Sequence, residues 1–528
     1  MAYNDLRDWI KTLEDHGELK RIREEISPEL EITEITDRVS KSSGPALLFE
    51  NVKGHPSHQV FINQFGSQRR MALALGVNSL DEIANRITAL FNLKAPEGFL
   101  DKLKMLPQLS ELSSAFPKTV TAKDAPCKEM IRRDHFNLNY FPILKCWPHD
   151  GGRFITLPCV VTRDPRSGKR NLGMYRMQVY DGQTTGMHWQ RQKVAAEHYR
   201  EAIRKAAAQN SSESPLTAGV AAMAESAGGA CAFPDSPQGG LPQIALGNLK
   251  GSRLEVAVAI GTDPATTFAA IVPAPPEVEE YLIAGFLRGA PVEIVQCETV
   301  DLQVPARAEI VLEGYVELGE LRAEGPFGDH TGFYSLADLY PAYHVTAITH
   351  RADPIYPTTI VGKPPMEDYF LGKATERIFL PLVQTIIPDI VDYSLPVSGV
   401  FHNCAFVKIR KECPYQARRV MHAIWGAGQM SFTKFIIVVD EDVDVHDEQD
   451  VLFHWFAHCD PQRDSEIVHG PVDILDHASP ELGAGSKIGF DATAKWPAEG
   501  KVRRWPRKME MDQTTIDLIT RRWGEYGI

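Results

Sequence analysis

The sequence of 528 residues contains no run of about 18 consecutive apolar residues, the length a helix needs to cross a bilayer, so no transmembrane segment is expected. Cysteine is sparse. The eight, at positions 127, 146, 159, 231, 297, 404, 413 and 459, form no Cys-x-x-Cys pair. Scattered thiols in a chain of this length argue against a disulfide framework or a zinc site, and for a reducing compartment. Positive charge is in deficit: 56 Lys and Arg stand against 69 Asp and Glu, a net charge of -13. A protein that coats nucleic acid needs a basic face, so that class is excluded as the main function, while a local basic pocket for an anion is not. Glycine (39) and proline (36) are at ordinary levels and 43% of residues are hydrophobic, which excludes collagen-like and largely disordered chains. No repeat of solenoid period is present. The stretch MAYNDLRDWIKTLEDHGELKR is charged and amphipathic and lacks the apolar centre of a signal peptide. The expectation is a cytoplasmic protein of several domains.

What is present reads as an α/β (α+β multidomain) chain. A first helix is capped by Asn4 or Asp5, carries Leu6, Trp9, Ile10 and Leu13 on one face, and ends at Gly17. A second is expected to start at Ser27-Pro28, with Ile32, Ile35 and Val39 as its buried stripe. Strands follow at Ala46–Phe49 and Val60–Phe65. From Phe154 the texture changes to runs rich in Thr, Val, Ile and Tyr, broken by Asp181-Gly182: FITLPCVVT, RNLGMYRMQVY, TTGMHW, LEVAVAIG, PVEIVQCETVDLQV and AEIVLEGYVEL. Short strands in succession predict a β-barrel or sandwich core. Residues 207–240, rich in Ala, Ser, Gly and Pro, read as an insertion loop. After about residue 345, AYHVTAITH and KFIIVVD read as strands, FLPLVQTIIPDIVDY and EQDVLFHWFAH as helices. The expected organisation is an N-terminal α/β region (1–120), a central β domain (121–340) and a C-terminal α/β domain (341–528).

Three motifs fail on inspection. GAGSKIG (483–489) spaces its glycines as G-x-G-x-x-x-G and lacks an acidic partner downstream, so it reads as a glycine-rich turn, not a dinucleotide fingerprint. In DEDVDVHD (440–447) the position that needs Gly for a calcium loop is Val445, which leaves a solvated acidic run at a strand end. His454 and His458 are four apart, but Trp455 follows the first where a metalloprotease has Glu.

One segment has chemical promise. In RAEGPFGDHTGFY (322–334), Glu324 and Asp329 are five apart in a Gly-Pro-Gly turn. Pro326 fixes φ while the glycines allow unusual angles, so the turn can be stiff. Held close, two carboxyls can divide into an acid and an anion. A polar hairpin loop is the plain alternative. In RNLGMYRMQ (170–178), Arg176 lies in a strand-patterned stretch where a charge needs a partner, and Glu324 would serve; its fork could also hold a substrate carboxylate. Asn171 and Glu280 are hard oxygen donors suited to Mg2+ or Mn2+.

NLGMYRMQ, GMHWQRQK, EGPFGDHTGFY, GKPPMED (362–368) and GSKIGFDATAKWP (485–497) together resemble the UbiD family of reversible decarboxylases, over nearly the whole chain. The resemblance implies a split β-barrel that binds prenylated FMN, within residues 121–340. It implies Arg176 as the group that orients the substrate carboxylate, Asp329 as proton donor, and Glu324 as the residue that holds Arg176 and tunes Asp329. Cofactor contacts would fall on Met174, Tyr175, Arg176, His188, Trp189, Gln190, Lys193, Val194 and Lys434. A phosphate-bridging Mn2+ or Mg2+ would be held by Asn171, Glu280 and Gln192, with K+ as a further cation. Gln192 departs from the pattern: the family commonly reads HWQRHK where this chain reads HWQRQK. The branch acting on 3-polyprenyl-4-hydroxybenzoate in ubiquinone biosynthesis is the most similar, and Asp at 329 fits it. Other implied partners are a small aromatic acid, a flavin prenyltransferase that supplies the cofactor, and further copies of the chain as a dimer or hexamer built through the C-terminal domain. Peripheral contact with the inner membrane is compatible with such a substrate. A flavin-binding redox or storage protein is the competing class, but it has no use for an Arg set between two acids.

Overall fold

The computed structural model describes residues 2–91, 113–210, 249, 251–274, 278–500 and 503–527. The first helix, Leu6–Asp15, is the one the sequence predicts. Asp5 accepts from the backbone N–H groups of Arg7 (2.9 Å) and Asp8 (3.1 Å), Leu6, Trp9, Ile10 and Leu13 are buried, and Gly17 takes the left-handed conformation (φ +70°) just beyond its end. The second helix, Glu31–Lys41, starts later than expected. Glu29 bridges to Lys145 and the Leu30 N–H donates to the Lys145 carbonyl, which pulls residues 29 and 30 out of the helical path. Its fully buried face is Ile32, Thr33, Thr36 and Ser40, with Ile35 and Val39 half-buried.

Three sheets organise the described chain. The first joins Leu19–Ile22, Ala46–Phe49, Gln59–Ile62 and the distant strand Ile355–Pro357. The second runs in the order Thr184–Gly186, Asp338–His350, Ile310–Glu324, Arg253–Ile260, Cys159–Arg163, Arg170–Met174, all antiparallel, with Met130–Arg132 paired to Asp338–His350. AYHVTAITH therefore belongs to this central sheet, not to the third region. Its register against Ile310–Glu324 runs from Ile310 opposite His350 to Glu324 opposite Asp338. The third sheet is Ile390–Ser394, Cys404–Ile409, Phe435–Val439, Ala484–Asp491 and Ser465–Pro471, with parallel pairs at its centre.

Two local readings change. GAGSKIG is mostly strand, within Ala484–Asp491, because seven residues of that strand pair antiparallel with Ser465–Pro471. FLPLVQTIIPDIVDY ends its helix, Glu367–Ile386, and finishes as the strand Ile390–Ser394, which pairs with Cys404–Ile409. Of the 207–240 segment, residues 207–210 close the helix Val194–Asn210, and the remainder lies outside the described residues, as does Cys231. The other seven cysteines are free thiols. Among the described residues no helix is long and apolar enough to cross a membrane. The largest core cluster packs Leu47, Phe49 and Ile62 of the first sheet with Val160, Ile310, Leu312 and Val316 of the second, together with Tyr175, Met187 and Trp189. This core fixes the floor on which the site stands.

Candidate active site

The two longest strands of the central sheet, Ile310–Glu324 and Asp338–His350, are joined by residues 325–337. That connection carries the acids. It is stiffened by its own small ladder, Phe327–Gly328 against Tyr334–Ser335, and by hydrogen bonds to neighbouring segments. Gln178 Oε1 accepts from Gly325 N–H (2.7 Å), Asp150 accepts from Gly328 N–H (2.7 Å), the Pro326 carbonyl accepts from Gly151 N–H (2.7 Å), and the Tyr334 hydroxyl accepts from His149 N–H (3.1 Å). Glycine is required where segments touch. A Cβ on Gly151 would lie 2.2 Å from the Gly325 carbonyl oxygen, and one on Gly328 would lie 2.2 Å from Trp147 Cδ1.

Arg176, just beyond the strand Arg170–Met174, is brought against this loop. Its Nε donates to Glu324 Oε1 (3.0 Å), Nη1 to Asp329 Oδ2 (2.5 Å) and Nη2 to Ser335 Oγ (3.0 Å). The guanidinium also sits 4.4 Å above the Phe327 ring. All three charged side chains are at most 10% exposed. Burial lowers the Arg176 pKa, but Glu324 and Asp329 outweigh it and raise the group overall. Burial works against the Glu324 charge, and the His188 and Arg176 donors more than offset it. Burial likewise pushes Asp329 up, yet the His330 hydrogen bond and the Arg176 charge hold it well below the carboxylate range. His188 Nδ1 lies 2.8 Å from Glu324 Oε1 and its ring packs 4.2 Å from Tyr340; burial and Arg176 keep it below the ordinary histidine value.

Of these groups, Arg176, His188, Phe327, Asp329 and His330 line one cavity of about 240 Å³. Met174, Tyr175, Gln190, Lys193, Val361 and Leu475 line it with them. Six of the nine expected cofactor contacts thus share a single space. Trp189 is instead buried against Tyr199, Val194 is exposed at the start of its helix, and Lys434 pairs with Asp476 (2.7 Å), next to Leu475. Burial lowers the Lys193 pKa, and Asp473 is the charge that faces it. A larger hollow, about 680 Å³, lies beside Arg163, Arg253 and Asp301, but its cations are engaged: Arg163 pairs with Asp301 (2.8 Å) and Arg253 covers the Tyr315 ring.

The candidate metal ligands are partly assembled. Glu280 Oε2 accepts from Leu172 N–H (2.8 Å), which sets its carboxyl beside the strand that bears Asn171. Both are buried, and burial pushes Glu280 up to about 7. A hard cation would relieve the buried carboxylate, so the pair suits one. Gln192 is exposed and directs its amide at Gln190 (3.3 Å). Among the described residues no three His, Cys, Asp or Glu side chains form a metal cluster; the candidate set has one carboxylate and two amides.

Sequence reasoning passed over several site residues. Asp150 and His402 lie too far along the chain for any spacing rule to join them, and Gln178, Ser335 and Tyr340 lie in or just beyond the quoted segments without a residue pattern that marks a role. His330 and Asp368 sat inside quoted motifs without a role. The failed metal motif is structural: His454 Nδ1 is 2.9 Å from the Asp450 carbonyl and His458 Nδ1 is 3.1 Å from the Ala492 carbonyl.

A buried Arg held by two acids thus stands at a cavity beside the central antiparallel sheet. The chain matches the N-terminal domain of the 3-octaprenyl-4-hydroxybenzoate carboxy-lyases over residues 10–87, their Rift-related domain over 118–238 and 237–364, and their C-terminal domain over 369–492. It belongs to the UbiD family of carboxy-lyases. An uncharacterized protein of Archaeoglobus fulgidus is 49% identical over 99% of both chains, and one of Aquifex aeolicus is 46% identical over 100% and 99%. Among solved structures, the UbiD-class enzyme HmfF of Pelotomaculum thermopropionicum, in complex with FMN, is 28% identical with a TM-score of 0.75, covering 98% of this chain and 99% of that one. The vanillic acid decarboxylase of Sedimentibacter hydroxybenzoicus in its closed form is 26% identical with a TM-score of 0.78, covering 100% and 98%.

Proposed function

We propose that this protein removes CO2 from an aromatic acid with prenylated FMN bound at the cavity lined by Arg176, His188, Lys193 and Asp329. The observation that carries the reading is the Arg176–Glu324–Asp329 cluster, whose Arg176 and Asp329 line that cavity. The donor set suits the cofactor: Lys193 offers an amine to a phosphate, and the Asn171–Glu280 pair offers oxygens to a Mn2+ or Mg2+ that would bridge it. When bound, the flavin supplies an electron sink for the charge that departing CO2 leaves behind. Arg176 binds the substrate carboxylate through its fork, a geometry that lysine cannot offer. Glu324 accepts from Arg176 and His188 together, so it fixes the guanidinium and prevents it from following the carboxylate out. Phe327 presents an apolar face to the same cavity. Asp329 passes a proton to that carbon.

The specific acid we propose is 3-polyprenyl-4-hydroxybenzoate, converted to 2-polyprenylphenol for ubiquinone, with a separate prenyltransferase supplying the flavin. The EGPFGDHTGFY segment with Asp at 329 supports it, as do the descriptions of the matching domains. The cofactor-loaded protein should release CO2 from such acids. Asp329→Asn should lower turnover by about a thousandfold or more while flavin stays bound. Full activity in that variant would remove Asp329 from the reaction, and flavin binding without CO2 release from any acid would favour the redox or storage class.

A further inference from the structure

We propose that the acid of this site is the Asp329–His330 pair, with His330 holding the proton and His402, from the C-terminal sheet domain, orienting it. The inference rests on the decarboxylase reading above. Both Asp329 oxygens are already acceptors. Oδ2 accepts from Arg176 Nη1 (2.5 Å), and Oδ1 accepts from the His330 backbone N–H (2.9 Å) and faces His330 Nδ1 (2.8 Å). Arg176 Nη1, the His330 N–H and His330 Nδ1 converge on this carboxylate and stabilise its charge, so Asp329 waits as the anion. His330 Nδ1, 2.8 Å from Oδ1, presents a transferable proton to it.

The far edge of the same ring decides its charge. His330 Nε2 lies 2.7 Å from His402 Nε2, and one proton must sit between the two nitrogens. Burial and the His330 charge pull His402 down, and only the His330 ring also faces the Asp329 carboxylate, so His402 is the acceptor and carries its own proton on Nδ1. His330 then holds protons on both nitrogens. The groups that face it agree: Asp329, Asp368 and Asp473 are acidic, and the cation Arg176 lies on the other side of Asp329. Burial lowers His330, and Asp329 outweighs it and raises the group. Phe401 stacks on the ring at 5.1 Å. Val400 (φ +54°) and Phe401 (φ +48°) are both left-handed, a conformation unfavourable for a β-branched residue, and it sets Phe401 and His402 against His330.

In one turnover the C–C bond to the carboxylate breaks and its electron pair takes up a proton as a C–H bond. That proton leaves Asp329, which receives it from His330 Nδ1. His330 becomes neutral and keeps its Nε2–H on His402. Water entering the emptied cavity, which His330 lines, returns one proton to the pair. One carboxylate and one proton give CO2 and the protonated product.

The test is the pH profile of kcat for the cofactor-loaded protein, beside histidine 13Cε1 NMR of the full chain. Wild type should lose activity only above the ordinary histidine value of about 6.5. His402→Ala should move that limb acid by about one unit and lower kcat with KM unchanged. His402→Gln, whose Oε1 can still accept from Nε2–H, should restore it. His330→Gln can donate to Asp329 but cannot hold an extra proton, so its activity should fall steadily with pH from the acid side. In the NMR, His330 should titrate above about 6.5 and His402 should stay neutral at pH 6. An alkaline limb unchanged in both His330→Gln and His402→Ala overturns the pair and leaves decarboxylation standing. If no acid is decarboxylated, the functional reading falls, and the NMR alone decides: a neutral His330 at pH 6 overturns the pair.

Discussion

At the scale of single residues, the site is an arrangement of charges that would each be costly alone. Arg176 is compensated by Glu324 and Asp329, and each acid by at least one further donor. Removing the cation should therefore damage stability as well as activity. Arg176→Met is expected to abolish turnover and to cost about 3–5 kcal/mol, because it leaves two buried carboxylates without their cation. Denaturant unfolding with the far-UV signal of each variant checks it, and a loss under about 1 kcal/mol would mean the cluster is wetter than its burial indicates. Arg176, Glu324 and Asp329 were legible because they lie inside recognisable segments and because a charge in a strand-patterned run calls for a partner. Glu280 and Asn171 were legible only as oxygen donors until the resemblance gave them a shared role. His402 was not legible at all, since nothing local marks a histidine whose partner is 72 residues away.

At the scale of elements, the loop 325–337 is held by contacts that only glycine allows. Gly328→Ala should force Trp147 to move and break its Nε1–H bond to the Val361 carbonyl (2.9 Å), with kcat reduced by about tenfold or more and the fold retained. Circular dichroism together with steady-state kinetics checks this; unchanged kcat would show that the loop does not need that contact. The elements most legible in sequence were those with local causes. The first helix has its cap, its stripe and its terminating glycine all within one short stretch of chain, and it forms as predicted. The second helix lost its first residues to a partner at Lys145, a contact no local pattern encodes. GAGSKIG became a strand because Ser465–Pro471 lies alongside it. Composition argued for a turn, and pairing across the sheet overrode it.

At the scale of the whole molecule, long-range pairing sets the layout. Asp338–His350 returns to the central sheet and Ile355–Pro357 to the first, so one stretch of chain ties both together beside the cavity. The C-terminal sheet domain adds Leu475 to the cavity wall and His402 to His330. Strand existence was legible from alternation, but the order of strands was not, because order depends on crossovers that leave no periodic trace. A half-buried carboxylate, Asp392, also makes a contribution to stability that acid removes. Burial raises Asp392, but His446 and Arg377 outweigh it and hold it at about 2. Its folded value is below the unfolded one, so its contribution is complete above the ordinary carboxylate range and is lost as pH falls toward 2. Asp392→Asn should lower the melting temperature at neutral pH, and its curve should converge with wild type near the same acid limit. Parallel curves across that range would exclude the linkage. The central claim is that the cavity holds a prenylated flavin. The most direct measurement is mass spectrometry of the small molecules released from protein produced together with a flavin prenyltransferase. The expected result is prenylated FMN in near-stoichiometric amount; protein that carries no flavin, or plain FMN alone after such production, would contradict it.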